Sequence, residues 1–286
     1  MKQRIRYINI LLAGMTALCL VGCGGSDEGK GSGADSGNNA GETKEASLED
    51  NFEWDGNLIV GLSDEGVKQE SLIIPERCEG FNASVFLDRE SDVKEVSFES
   101  DKDIDLNCVF LGAENLEYIS LPAELTEIGD VEFSGCSSLK EITVPEEVTV
   151  IGNRAFQNNT SLERVVFQGD ITTIMQNAFE ACTSLREIEL PDTVTSIEKY
   201  AFTECVSLTD ITLPADLKEI GQFAFGNSGL ETVNVPAEME LTAYESTSFI
   251  QLERRLNINV VEGSWADQNF DKVFEREIKN IVTDIS

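Results

Sequence analysis

Three aspartates at alternate positions, Asp101, Asp103 and Asp105 in DKDIDLN, have the spacing with which a calcium loop supplies its first oxygen ligands. Leu106 stands where such a loop needs glycine, and Gly112 where it needs its twelfth-position glutamate. The run therefore reads as a solvated acidic turn, and neither a metal nor another cofactor is assigned. Two carboxylates about 5–9 Å apart can hydrolyse a glycosidic bond, and among 53 Asp and Glu residues some pair meets that distance by chance. No feature marks a pocket around one. The chain has no histidine, which excludes Ser–His and Cys–His nucleophile pairs, imidazole bases and His-ligated metals. No CxxC spacing for zinc occurs among its seven cysteines. Beyond Cys19 and Cys23 lie Cys78, Cys108, Cys136, Cys182 and Cys205, an odd number that cannot all pair within one chain. Cys182 and Cys205 read either as members of a buried column of small residues or as a disulfide in an oxidising location. No catalytic residue emerges, and the chain reads as a non-enzyme.

The 286 residues carry 21 Lys and Arg, for a net charge of -32. That balance repels phosphate backbones and argues against nucleic-acid partners. Lys2, Arg4 and Arg6 precede an apolar run, Ile8 to Val21, that is too short to span a bilayer. It ends in Leu20-Val21-Gly22-Cys23, which resembles the bacterial lipobox. The resemblance implies removal of residues 1–22 and a lipid on the sulfur of Cys23. The stretch that follows is dominated by Gly, Ser, Asn and acidic residues and has no large apolar ones, so residues 23–47 read as a flexible tether.

What could position any functional group is a repeat. From residue 93 the chain recurs every 23 residues. One apolar column runs Leu116, Leu139, Leu162, Leu185, Leu208; a second Ile119, Ile142, Val165, Ile188, Ile211; a third Leu121, Val144, Phe167, Leu190, Leu213, usually followed by proline. Ile128, Ile151, Ile174, Ile197 and Ile220 form another, and Phe133, Phe156, Phe179, Phe202 and Phe225 the last. Segments such as EITVP and DITLP alternate polar and apolar, so each is a short strand with one buried face. VTVIG and VTSIE read as second extended pieces, and NRAFQNN and KYAFTEC have the length of a helical turn. A lone coil leaves its apolar side chains half exposed. Stacking buries like columns on one another, worth roughly 1.5–3 kcal/mol per large side chain. Gly129, Gly152 and Gly221 are matched by Met175 and Glu198, so glycine reads as convenient there rather than obligatory. SLIIPERCEGF reads as a first irregular coil and FEWDGNLIVGLS as a cap. Phe270, Val273, Phe274, Ile278 and Ile281 fall at helical spacing and predict a helix covering the last coil.

The pattern SL.EI.LP..VT.IG..AF..C resembles the BspA-type leucine-rich repeats of bacterial surface proteins, over roughly residues 70–252. The resemblance implies an α/β fold: a right-handed leucine-rich-repeat solenoid of about seven 23-residue coils, each with a short strand and a helical turn. The expected organisation is a lipoprotein signal peptide (1–22), a tether (23–47), a solenoid with N-terminal cap (48–252) and a C-terminal cap (253–286). Gln168 where proline is usual, Asn159 and Ser228 where cysteine is usual, and Val131-Glu132 before Phe133 depart from the pattern. Outward residues form two rows on the strand face, expected to be concave. One includes Tyr118, Glu141, Arg164, Glu187 and Asp210; the other includes Val166 and Glu189. These seven are the candidate ligand-binding residues: Tyr118, Arg164 and Val166 as anchors, Glu187, Glu189 and Asp210 as a cluster preferring a basic partner. The function this implies is adhesion, the binding of a protein or glycan by a protein lipid-anchored to the bacterial cell envelope and exposed to the exterior. The alternatives are an envelope scaffold without external ligand and, more weakly, a carboxylate-based glycoside hydrolase.

Overall fold

The computed structural model describes residues 47–82, 85–86, 91–106, 108–244, 247–249, 256–274 and 278–282. The expected leader, Cys19, Cys23 and the tether to residue 46 lie outside the described residues. One compact unit, Glu45–Ser286, holds the repeat. Its elements in chain order are β1 (Phe52–Asp55), β2 (Leu58–Leu62), β3 (Ser71–Ile74), β4 (Gly80–Phe81), β5 (Glu95–Phe98), β6 (Tyr118–Ile119), β7 (Glu141–Val144), β8 (Val150–Ile151), β9 (Arg164–Phe167), β10 (Thr173–Ile174), β11 (Glu187–Ile188), β12 (Ser196–Ile197), β13 (Asp210–Thr212), β14 (Glu219–Ile220), β15 (Thr232–Val235), β16 (Ala243–Tyr244), β17 (Asn257–Val261), α1 (Trp265–Gln268), α2 (Phe270–Val273) and β18 (Ile278–Val282).

Each period makes one turn of a β-solenoid of about nine turns. The EITVP-type segments pair in parallel, Glu141↔Arg164↔Glu187 and Ile142↔Val165↔Ile188. The second extended pieces form their own parallel sheet, β8-β10-β12-β14-β16. Two repeated columns face fully inward, Leu139, Leu162, Leu185 and Leu208 and Ile128, Ile151, Ile174, Ile197 and Ile220, whereas the third is only partly buried at Leu121, Phe167 and Leu190. At the N-terminal end β1 and β2 form an antiparallel hairpin whose β2 pairs with β4.

The aromatic column is longer than its repeat. Phe86, Phe110, Phe133, Phe156, Phe179, Phe202, Phe225 and Phe249 stack face to face through the core, with centroids 5.0–5.4 Å apart and planes within 12°. Phe274 closes the row at a tilt of 50°. A further buried column, Leu125, Val148, Ile171, Val194 and Leu217, follows each proline or its replacement.

The helical turns are corrected to tight non-helical turns. Each of the regular turns holds two residues in the left-handed region, four positions apart: Val131 and Gly135, Arg154 and Asn158, Asn177 and Ala181, Tyr200 and Glu204, Phe223 and Asn227. Two such residues interrupt any helical run. Alternate turn amides reach the next coil, while those between them bond within their own: Phe156 N–H donates to the Ala178 carbonyl at 2.8 Å, Phe179 to Ala201 at 2.8 Å, Phe202 to Ala224 at 2.7 Å. That ladder holds even β-branched Val131 at φ 55°, a conformation such residues otherwise avoid. The glycine reading also changes. A Cβ on Gly152 would lie 2.5 Å from the carbonyl carbon of Gly129, so glycine there answers the close approach of the preceding coil.

The count of seven coils is corrected upward because β17 and β18 join the strand face. Thr232, Asn257 and Ile278 stand in register although 25 and 21 residues apart in the chain. The predicted C-terminal helix is two single turns, α1 and α2, followed by strand β18. Pairing β18 onto β17 satisfies a ladder that a helix would leave open.

The cysteine column is structural. Cys136, Cys182 and Cys205 are buried free thiols that donate to the carbonyls of Phe110, Phe156 and Phe179, at 3.0, 3.1 and 3.1 Å. Burial pushes the Cys136 thiol up to about 12 and raises those of Cys182 and Cys205 as well, so they stay protonated donors and poor nucleophiles. Asn159 occupies the same column, fully buried, with neither amide atom partnered among the described residues. That costs about 1–3 kcal/mol which the thiol coils avoid. The seam between the coils that begin at Cys108 and Val131 also departs from the pattern. Glu132 replaces the usual alanine and is 3% exposed. Its Oε2 accepts the Cys108 N–H at 3.1 Å, and its Oε1 has no hydrogen-bond partner among the described residues. On the strand side of this seam β6 and β7 share no ladder.

Candidate binding face

Period-2 alternation turns every second residue of the strand row outward. The first row is seen as Glu95↔Tyr118, Glu141↔Arg164↔Glu187 and Asp210↔Thr232, the second as Thr143↔Val166 and Thr212↔Asn234. All seven candidate residues lie on this face; Val166 is partly exposed and the others exposed. The face is not continuous. Ladders join β7-β9-β11 and, separately, β13-β15-β17-β18.

At the break between β11 and β13 like charges stand one rung apart. Glu141, Arg164 and Glu187 alternate in sign, and Arg164 Nε lies 3.5 Å from a Glu187 oxygen. Continuing the register would set Glu187 opposite Asp210, and like charges directly opposite are destabilising. The ladder stops at that rung, and a groove of about 640 Å3 lies over the β9 and β11 coils and reaches Asp210 across the break.

The structure brings Arg164, Val166, Glu187, Glu189 and Asp210 together as lining of this groove; Tyr118 and Glu141 lie outside it. Tyr118 is 41% exposed, and the Lys140 ammonium sits 5.0 Å from its ring centre. Lys140 is held by Glu117, a pairing that keeps the Glu117 carboxyl below and the Lys140 ammonium above their usual values. The sequence reading missed Phe167, Leu190 and Pro191, which form an apolar floor, and Arg186, which pairs with Glu163 at the rim.

The signal for the groove was the Gln168-Gly169 departure. Gln168 has the amide that proline lacks, and it donates to the Val144 carbonyl at 3.0 Å, adding a rung contact beyond the end of β9 at Phe167. Gly169 leaves space no side chain could share: a Cβ there would lie 1.9 Å from the Glu146 carbonyl oxygen. One long rung beside a two-residue rung makes the step on which the floor is exposed.

The other chemical candidates have structural partners. Asp103 accepts the Thr126 N–H at 2.9 Å and its hydroxyl at 3.0 Å, bracing the next coil. No cluster of metal-ligating side chains occurs among the described residues. No helix among the described residues is long and apolar enough to cross a membrane.

Compared with known families, the chain matches the BspA type leucine-rich repeat region in six copies, over residues 65–186 and 172–264. No curated protein matches it. Among solved structures, a leucine-rich repeat protein from Bacteroides ovatus is similar at 22% identity and TM-score 0.50, over 77% of this chain and 64% of that one. One from Eubacterium ventriosum has 21% identity and TM-score 0.48, over 65% and 60%. The T. pallidum leucine-rich repeat protein has 23% identity and TM-score 0.44, over 72% and 78%. The chain thus spans less than two thirds of the first two of these proteins.

Proposed function

This chain belongs to the BspA-type leucine-rich repeat family, and we propose from that premise that it is an envelope-anchored bacterial surface protein that binds a ligand in the groove over β9 and β11. The observation that carries the reading is the groove itself, which combines an apolar floor with charged residues on the strand face. The solenoid orders its lining in advance, because β9 is laddered to β7 and β11, and β13 to β15. Preordered side chains lose little entropy on binding, which favours affinity. Arg164 sits at the rim with its guanidinium exposed, and arginine is among the residues that dominate interface energetics.

Screening the full-length protein against matrix proteins and mucin glycans is expected to yield a ligand whose capture falls at least tenfold in the Arg164→Ala/Val166→Asp double variant. The Tyr118→Ala change, outside the groove, is expected to have a smaller effect. A ligand bound equally by the parent and the double variant would place binding elsewhere and end this reading. The lipid anchor on Cys23 has its own test. Cys23→Ala is expected to move the protein from the membrane to the soluble fraction of the producing cell; a variant that still sediments with membranes overturns the anchor.

A further inference from the structure

Resting on the groove being the binding site, we infer that its occupant is a cationic, extended polypeptide segment with lysine or arginine at every second position. Six charged residues line the groove, and two of them are arginines already engaged: Arg164 with Glu187, Arg186 with Glu163. The remaining carboxylates meet only neutral donors or none. Asp210 accepts the Thr209 hydroxyl at 2.7 Å, Asp192 the Ala215 amide at 3.3 Å, and Glu189 has no ion pair or hydrogen bond among the described residues.

The groove reaches Asp210, so a cation seated there meets a carboxylate that holds no ion pair among the described residues. The floor of Val166, Phe167, Leu190 and Pro191 suits the aliphatic stems of lysine and arginine, whose charged heads extend beyond the apolar surface they cover. In an extended segment every second side chain faces the same way, so basic residues at alternate positions all face the floor. A neutral glycan fits less well, since Phe167 is the one aromatic residue of the lining and is only partly exposed. An anionic glycan meets a chain of net charge -32.

The probe is a fluorescein-labelled ten-residue peptide of alternating lysine and serine, titrated against the full-length protein in 50 mM NaCl. Its glutamate counterpart and a neutral hexasaccharide serve as comparators. The lysine peptide is expected to bind, and to weaken more than fivefold in 300 mM NaCl as screening shortens the reach of the carboxylates. The Glu189→Lys/Asp210→Lys double variant is expected to weaken it at least tenfold. Glu124→Lys/Glu147→Lys makes the same change of net charge elsewhere on the surface and is expected to stay within twofold of the parent. The milder Glu189→Gln/Asp210→Asn variant, expected at least threefold weaker, serves if the reversal unfolds the chain. No binding of the lysine peptide, or equal loss in both reversal variants, overturns the inference. Hexasaccharide binding that Val166→Asp abolishes, without peptide binding, overturns the cationic occupant and leaves the groove as the site. If no probe or screened ligand responds to any groove substitution, both fall.

Discussion

Phe179→Ala is expected to remove about 3–5 kcal/mol of folding stability, the range for deleting a buried aromatic side chain. The ring is fully buried and stacks on Phe156 and Phe202 at 5.2 Å, with planes 6–7° apart. Such offset pairs add about 0.5–1.5 kcal/mol each beyond burial, so the centre of the row loses two of them at once. The cavity cannot close easily, because the turn that carries Phe179 is laddered to both neighbouring coils. In a solenoid each coil is stabilised by its neighbours, so weakening the middle also weakens the coupling between the two halves. Urea unfolding followed by far-UV circular dichroism is the measurement. A midpoint shift equivalent to the full loss is expected, with a broadened or split transition. A change below about 1 kcal/mol would mean that the aromatic row is not what holds the coils together.

The second large effect concerns Glu132. Desolvation pushes its carboxyl up from 4.5 to about 7; the Cys108 amide opposes the shift and the nearby negative charge of Asp105 adds to it. A carboxyl with a raised folded-state pKa is protonated in the folded chain while ionised in the unfolded one. Between pH 4.5 and 7 the unfolded state therefore binds fewer protons, and stability falls as pH rises. Its stabilising share is complete below pH 4.5 and is lost as pH passes through about 7. The loss is about 2.5 kcal/mol at pH 8 relative to pH 5, because each tenfold difference in proton affinity between the folded and unfolded chain is worth about 1.36 kcal/mol. Glu132→Gln keeps an acceptor for the Cys108 amide and cannot ionise, so its stability should lack this slope. General repulsion in so acidic a chain lowers stability with pH in both proteins, and the difference between their pH profiles isolates Glu132. Parallel profiles would show that the carboxyl is not buried as the structure places it.

The candidate site was partly legible. Alternation placed Arg164, Val166, Glu187, Glu189 and Asp210 on one face, and these line the groove. The same alternation added Tyr118 and Glu141, because rows read from a period treat every coil alike. What singles out one step along the face is a departure, Gln168-Gly169, together with like charges one rung apart. A periodic reading averages over both.

The amino-acid sequence by itself determined the period, the buried columns and the short strands, because in-register stacking demands the same side-chain type at the same place in every coil. The tertiary structure decided the left-handed turns, the two last rungs at uneven spacing, the free thiols aimed at phenylalanine carbonyls, and the groove. Each of these depends on what a residue meets in the adjacent coil, about 23 positions away. A cross-coil hydrogen bond or charge contact of that kind can override the local preference of the segment that makes it.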